Sequence, residues 1–390
     1  MTLWMNLLLR APLKRLLSVP FVLRVPLALI FGVLVGAAAA DELKLGFAEA
    51  PVADRSPDAR SDALAQGLDQ VLVRLVGSRH LDAIQGLQPV RNKPSQWAQQ
   101  YSYGQDDQGA AILSTRFDVN GLLSGLQSAG VPVWGQTRPD VLVWMVIQRP
   151  GSGQMVDREM IDPAAQALRR GGQERGLPLL LPLMDGQDRA AVSVADIRGH
   201  FDNVVGKASE RYQAPLRLSV VLYTGSQPQI RWRLFRGVEL LDSGELTTAD
   251  ESEAVAAMID RVADRMASAY VISAGGGEAL TLNVQGVNTL KQWDALQGFV
   301  ARLTGIEDVR LVQLDGSLAR FNITFSGSVE QLQRLLALQP GLAPCAEGGA
   351  STDNAAYRGM ERSVAATNGR AAETVPVAVP SLPAYCWLGG

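Results

Sequence analysis

Residues 141–147 read VLVWMVI, seven apolar residues in succession, rich in β-branched types. A strand with one wet face alternates apolar and polar side chains, so an unbroken apolar run of this kind needs cover on both faces. The run therefore demands a central strand inside an α/β layer arrangement, and the flanking sequence must supply the covering elements. Downstream, the pattern predicts a helix from about Asp157 to Arg170, closed by Gly171 and Gly172, and a strand over 177–184. Strand, helix and strand at this spacing form a βαβ unit with a right-handed crossover. A helix is expected from Val194 to about Arg211, burying Phe201, Val204, Val205 and Ala208. LRLSVVLY and QIRWRLF, joined by TGSQP, then read as an antiparallel hairpin, extended by a strand near Glu239–Leu241. The stripe Val255, Met258, Ile259, Val262 and Met266 marks a further helix, with Asp250 or Ser252 at its cap.

Two smaller patterns flank this centre. Upstream, ELKLGFAEAPV suggests a strand, and Leu64, Leu68, Val71, Leu72 and Leu75 fall at helical spacing before Gly77. A helical piece near Gln96–Tyr101, a strand in AAILSTRFDV and a short helix closed by Gly130 complete that region. Downstream of SAGGGE, the order is strand, helix (Leu290–Leu303), hairpin around DGS, and a helix whose capping box is Ser328 and Gln331. This β-α-β-β-α order is most of a ferredoxin-like unit, and its final strand is not visible in the pattern. The expected fold class is thus mixed α/β and α+β, multi-domain, with a central α/β unit carrying a βαβ crossover and an antiparallel hairpin. The expected divisions of the 390 residues are 1–40 (signal peptide), 41–138 (α+β), 139–274 (central α/β), 275–344 (ferredoxin-like) and 345–390 (flexible tail).

The signal-peptide expectation rests on the first forty residues, whose only charges are Arg10, Lys14, Arg15 and Arg24. VPLALIFGVLVG and the alanines 37–40 follow, which places cleavage after Ala40. An uncleaved inner-membrane anchor is the alternative. The implied location is the periplasm, and no integral membrane span is expected after cleavage. Removing those four residues from the 36 basic ones leaves 32 against 39 acidic, a formal charge of −7. Nucleic acid is not a partner such a balance implies, because counterion release needs a positive surface. Cys345 and Cys386 either form a disulfide, favoured by an oxidising compartment, or remain free thiols.

Little in the sequence points to catalysis, and no cofactor is expected. His80 and His200 stand far apart with no second ligand at metal spacing, so no metal site is predicted. Gly206 and Lys207 resemble a phosphate loop superficially, but Phe201 and Ala208 stand where the signature needs Gly and Ser or Thr. Five residues remain as candidate ligand-facing groups. Asp185 and Asp188 follow the apolar run of 177–184, where an Asx-type turn is the alternative role. Arg217, Arg231 and Arg233 lie on the hairpin, where Arg231 and Arg233 oppose Ile230, Trp232 and Leu234 and face either an anionic partner or solvent. Trp97, Tyr101 and Tyr103 offer either an aromatic contact surface or core packing.

The blocks VWGQTRPDVLVWM, RGLPLLLPLMDGQD and KASERYQAPLRL, in this order, resemble the exported bacterial family catalogued as domain of unknown function 2066. That resemblance implies a periplasmic or envelope-associated protein of Gram-negative bacteria and brings no reaction and no catalytic positions. The leading functional expectation is a non-enzymatic binding or scaffolding module that contacts an envelope protein or the cell wall. The alternatives are an envelope hydrolase using carboxylates near Asp185 and a periplasmic small-molecule binding protein.

Overall fold

The computed structural model describes residues 44–272, 277–338, 341–345 and 382–388. The expected signal peptide, most of the glycine-rich join and residues 346–381 of the expected tail lie outside the described residues.

The chain starts with strand β1 (Phe47–Pro51), followed by helix α1 (Pro57–Val76). Ser56 caps α1 by accepting the Ala59 amide at 3.2 Å, Pro57 takes the first turn, and Gly77 closes it in the left-handed region at φ 74°. Two single-turn helices follow, α2 (Gln88–Arg91) and α3 (Pro94–Trp97), then strands β2 (Ala98–Gln105) and β3 (Ala111–Phe117) and helix α4 (Val119–Ser128). The antiparallel sheet runs β1-β3-β2, and Ala48, Ala50, Leu113 and Phe117 meet the predicted Leu64/Leu68/Val71/Leu72/Leu75 stripe of α1 in one core. The helix expected near Gln96–Tyr101 is corrected: α3 ends at Trp97 and the chain turns directly into β2.

In the central unit, β4 (Val141–Arg149) is the strand demanded by VLVWMVI. It is followed by β5 (Ser152–Met155), α5 (Pro163–Arg175), β6 (Leu179–Leu180), α6 (Gly186–Ala191), α7 (Val194–Arg198) and α8 (Asp202–Ser209). The meander β7 (Leu216–Tyr223), β8 (Gln229–Arg236) and β9 (Glu239–Thr247) and the long helix α9 (Glu251–Tyr270) complete it. The sheet runs β5-β4-β7-β8-β9, with β4 parallel to both β6 and β7 and the remaining pairs antiparallel. Val141, Val143, Met145 and Ile147 are buried in the core with α5 and α9. Leu142, Trp144 and Val146 belong to a second core with Val192, Ile197, Val205 and Ala208. Both faces are therefore dry, as the apolar run requires.

Three local expectations are corrected here. Helix α5 begins later and runs five residues further than expected, straight through Gly171 and Gly172. A Cβ at Gly171 would sit 3.3 Å from Ile259 and one at Gly172 would sit 2.7 Å from Leu179, so these glycines allow close packing rather than stopping the helix. The strand expected over 177–184 contracts to two residues, because Pro178 and Pro182 on either side have no N–H to give a ladder. The helix expected from Val194 to Arg211 breaks between α7 and α8, where His200 adopts φ 59°, and this leaves Phe201 56% and Val204 40% exposed instead of buried.

The last unit contains β10 (Glu278–Gln285), α10 (Leu290–Arg302), β11 (Ile306–Asp315), β12 (Leu318–Phe325), α11 (Val329–Leu336), β13 (Leu342–Pro344) and β14 (Tyr385–Trp387). Ala319, Phe321, Ile323 and Phe325 face the core in alternation, and the Ser328/Gln331 capping box opens α11. The sheet order is β11-β12-β10-β14-β13. In a ferredoxin-like unit the fourth strand lies beside the first, but here the end of the chain occupies that place. β14 pairs parallel to β10 through Val284 and Gln285 and displaces β13 to the edge. The expected tail thus contains a strand, which its three residues are too few to signal in sequence. Cys345 and Cys386 are joined at 2.06 Å and tie β13 to β14.

The N-terminal layer and the central unit are joined by buried arginines. Arg138, 8% exposed, donates to the carbonyls of Gly135, Gly176, Arg74 and Trp134 at 2.7–3.2 Å and stacks over the Trp134 ring. Arg175 donates to the Gly77 carbonyl and to Asp260 and Asp264.

Replacing Arg138 with Met keeps the aliphatic volume but leaves buried carbonyls without a donor, and we expect a loss of about 3 kcal/mol in urea unfolding. Cys345→Ser together with Cys386→Ser opens a loop whose closure contributes about 4 kcal/mol on the chain-entropy account. The expected result is a lower urea midpoint for the pair variant, equal to that of the reduced wild type.

Candidate functional site

Asp185 and Asp188 are brought together with a partner the sequence did not single out. Asp185 is the N-cap of α6, accepting the amides of Gln187 and Asp188 at 3.0 Å, and Arg211 grips both of its oxygens at 2.9 Å. The guanidinium and the capped amide hold its carboxyl well below the usual carboxylate range. Asp188 is 1% exposed and accepts the Met184 amide and Arg211, both at 2.9 Å, and the Tyr212 hydroxyl. Burial and this bond push the Tyr212 hydroxyl up. Both carboxylates are thus engaged in a clasp that ties the start of α6 to the segment after α8. His200 is not bonded to either one; its described hydrogen bonds are through its backbone.

The three hairpin arginines do not converge on a common opening. Arg231 pairs with Glu245 at 2.8 Å across to β9, and Arg233 pairs with Asp202 at the start of α8. Arg217, 7% exposed, lies 4.5 Å over the Phe235 ring with its guanidinium against Gly206, and burial lowers its pKa. Gly206 therefore serves packing against an arginine. Among the described residues no group of His, Cys, Asp and Glu could hold a metal ion.

A groove of about 670 Å³ lies between α1, β1 and α5, and two of its arginines are held in ion pairs. Arg79 pairs with Glu174 and Asp260, and Arg91 with Asp69 and Asp82. Two outward carbonyls of β1 are also taken: Gln70 donates to Glu49 O at 2.7 Å and Arg74 to Phe47 O at 2.5 Å. One edge of the N-terminal sheet is closed in this way.

Among the described residues nothing pairs with the other edge. Phe117 N–H donates to Gly46 and Ala111 C=O accepts from Val52, so the odd-numbered residues of β3 face β1 and the even-numbered ones face β2. Their β2 partners are Gln100, Ser102 and Gly104. By alternation, the backbone N–H and C=O groups of Tyr101 and Tyr103 project from the free edge. Strand β2, AQQYSYGQ, contains no charge and no proline, and its one register shift falls before Gln100. The other edges among the described residues are defended or short, β5 having only the four residues SGQM. β9 bears Glu239, Asp242 and Glu245 and a bulge, β11 bears Asp308, Arg310 and Asp315 and two bulges, and β13 has three residues ending in Pro344.

Side chains complete the β2 site. Tyr101, 46% exposed, and Tyr103 meet edge to face at 6.2 Å; Arg60 lies 5.8 Å over the first ring and Arg55 5.3 Å over the second. The Tyr103 hydroxyl is buried without a hydrogen-bond partner, beside a cleft of about 480 Å³ that includes Arg55 and Gln105. Of the three aromatics singled out in sequence, Trp97 is a core residue, donating to Val90 O and lying against Gly125. Tyr103 also packs against that core, and Tyr101 is the exposed one of the three. The sequence signal was the strand composition of AQQYSYGQ, which the helical reading of 96–101 hid.

Comparison with known proteins gives a family model described as Domain of unknown function (DUF8605), matched over residues 39–135. This corrects the resemblance to domain of unknown function 2066: the matching family is a different one, and it covers the N-terminal layer. The blocks behind that resemblance supply β4, the α6 cap and β7, which are generic demands of an α/β sheet. No curated protein matches the chain. Among solved structures, the LpoB C-terminal domain from Salmonella enterica is 13% identical, covering 34% of this chain and 100% of that one, with a TM-score of 0.20. A Xanthomonas campestris protein of the family model DUF330 is 14% identical, covering 35% and 82%, with a TM-score of 0.11.

Asp188→Ala leaves the Tyr212 hydroxyl and the Met184 amide without their acceptor and Arg211 with Asp185 alone, and a loss of about 3 kcal/mol is expected in chemical denaturation. Asp185 has a depressed folded-state pKa, so its contribution is complete above the unfolded value of about 4 and is lost as pH falls through the lower folded value. Wild-type stability should accordingly fall more steeply below pH ~4 than that of Asp185→Asn.

Proposed function

We propose that this chain is an exported, non-enzymatic binding module of the bacterial cell envelope, and that it contacts a partner protein by strand addition at β2. The observation that carries the reading is the asymmetry of the N-terminal sheet, with β1 sealed by Gln70 and Arg74 and β2 left bare, uncharged and aromatic. An exposed edge presents a row of unpaired donors and acceptors, and an extended segment can satisfy all of them at once. A natural protein retains so adhesive an edge only where something binds it.

Two features support the envelope location. The first forty residues have the pattern of an export leader, and the Cys345–Cys386 bond suits an oxidising compartment. Among the described residues no helix is long and apolar enough to cross a membrane. The hydrolase reading finds less support, since Asp185 and Asp188 are engaged in the Arg211 clasp.

Tyr101→Pro removes a backbone donor that has no partner among the described residues, so the fold should persist while strand addition fails. In cross-linked capture from intact cells, the partner recovered with wild type is expected to be lost with Tyr101→Pro and kept with Ser102→Ala. Circular dichroism should be unchanged in both. Undiminished capture by a folded Tyr101→Pro chain would overturn the proposal.

A further inference from the structure

Resting on that reading, we infer that the β2 edge is built to receive an acidic extended segment of another protein, with carboxylates at alternate positions. The charge around the edge carries the inference. Arg55 and Arg60 lie over the Tyr103 and Tyr101 rings of β2, 5.3 and 5.8 Å from their centroids, and neither has an ion-pair partner among the described residues. Most other arginines near the sheets are committed. Arg91 holds Asp69 and Asp82, Arg231 holds Glu245, Arg233 holds Asp202, and Arg74 is bound to backbone carbonyls. Asp54, which shares the cleft with Arg55, turns its carboxylate back onto the Ser56 amide at 2.7 Å.

The placement of these charges selects particular positions on the incoming strand. Tyr101 pairs with Thr115 and Tyr103 with Leu113, both buried, so the two rings stand on the α1 side of the sheet. A strand added beside β2 alternates its own side chains between the two faces, and those on the tyrosine side lie about 5 Å from the rings. A guanidinium stacked on an aromatic ring keeps its N–H edge free for a carboxylate, which it binds in bidentate fashion. Glutamate or aspartate at positions i and i+2 of the segment would therefore meet Arg55 and Arg60 in turn, while the backbone groups of Tyr101 and Tyr103 supply the ladder.

The same charges disfavour a second copy of this chain as occupant. Two β2 strands paired about a twofold axis normal to the sheet place their tyrosines on one face. Arg55 and Arg60 of both copies would then gather there, and β2 itself offers no carboxylate to offset them.

Three nine-residue probes test this with the full exported chain: alternating Glu and Thr, alternating Lys and Thr, and alternating Gln and Thr, titrated calorimetrically at low and at physiological salt. The Glu peptide is expected to bind at least tenfold tighter than the Lys peptide, with the margin narrowing as salt rises. Combining Arg55→Glu with Arg60→Glu should reverse that order, and Tyr101→Pro should abolish binding of all three. Equal binding of the three peptides, abolished by Tyr101→Pro, would overturn the acidic assignment while upholding strand addition. No detectable binding of any peptide, or binding indifferent to Tyr101→Pro in a folded chain, would overturn both. A concentration-dependent dimer in sedimentation that Tyr101→Pro dissolves would give the edge to a second copy and likewise overturn the inference.

Discussion

The Arg138 guanidinium holds the N-terminal layer to the central sheet. It sits almost wholly out of water, bonded to the carbonyls of Arg74, Trp134, Gly135 and Gly176 and stacked on Trp134. Burial, first, and the neighbouring Arg74 charge push its pKa down to about 9, the direction expected of a cation taken out of water. Carbonyl oxygens offset the cost of that burial with partial charge alone, so the arginine binds backbone from α1, the linker and the end of α5 without adding a carboxylate. Arg175, with Gly77, Asp260 and Asp264, repeats the connection one turn away. The three-stranded sheet is consequently not a loosely tethered domain.

Arg74 belongs to this joint and also to the closed edge. Its carbonyl accepts from Arg138 while its guanidinium donates to the Lys44 and Leu45 carbonyls just before β1 and to the Phe47 carbonyl at its start. Fixing α1 in the joint and sealing β1 are therefore one arrangement, and the sheet is left with a single unsealed side. Such rigidity would favour the proposed strand addition, because a preorganised edge loses little conformational entropy when a strand adds to it.

How legible this was depended on how far each signal reached along the chain. VLVWMVI imposed β4 and its two dry faces because the demand is local and strong, and the alternation of Ala319, Phe321, Ile323 and Phe325 placed β12 for the same reason. Gly171 and Gly172 misled because glycine breaks isolated helices yet permits close packing, and only the presence of Ile259 and Leu179 decides between the two. Asp185 was visible as a turn-forming residue, but Arg211, 26 positions away, was not. The β2 edge stayed hidden because an edge is defined by what fails to pair with it, and no short stretch of sequence records that.

The far end of the molecule shows the opposite treatment of an edge. Without β14, strand β10 would expose its backbone beside β13, since three residue pairs to β13 and two to β10 are too few to hold the inserted strand alone. The disulfide supplies the missing stability by removing loop entropy from the unfolded chain, and buried Leu382 and Tyr385 add apolar contact. The sheet boundary moves to β13, short and ended by Pro344, which offers little to an incoming strand. Two bulges bend β11 at the other boundary. A chain that commits a covalent bond and an inserted strand to closing one sheet, and two α1 side chains to one side of another, leaves β2 without a neighbour among the described residues, which is the contrast on which the proposed strand addition rests.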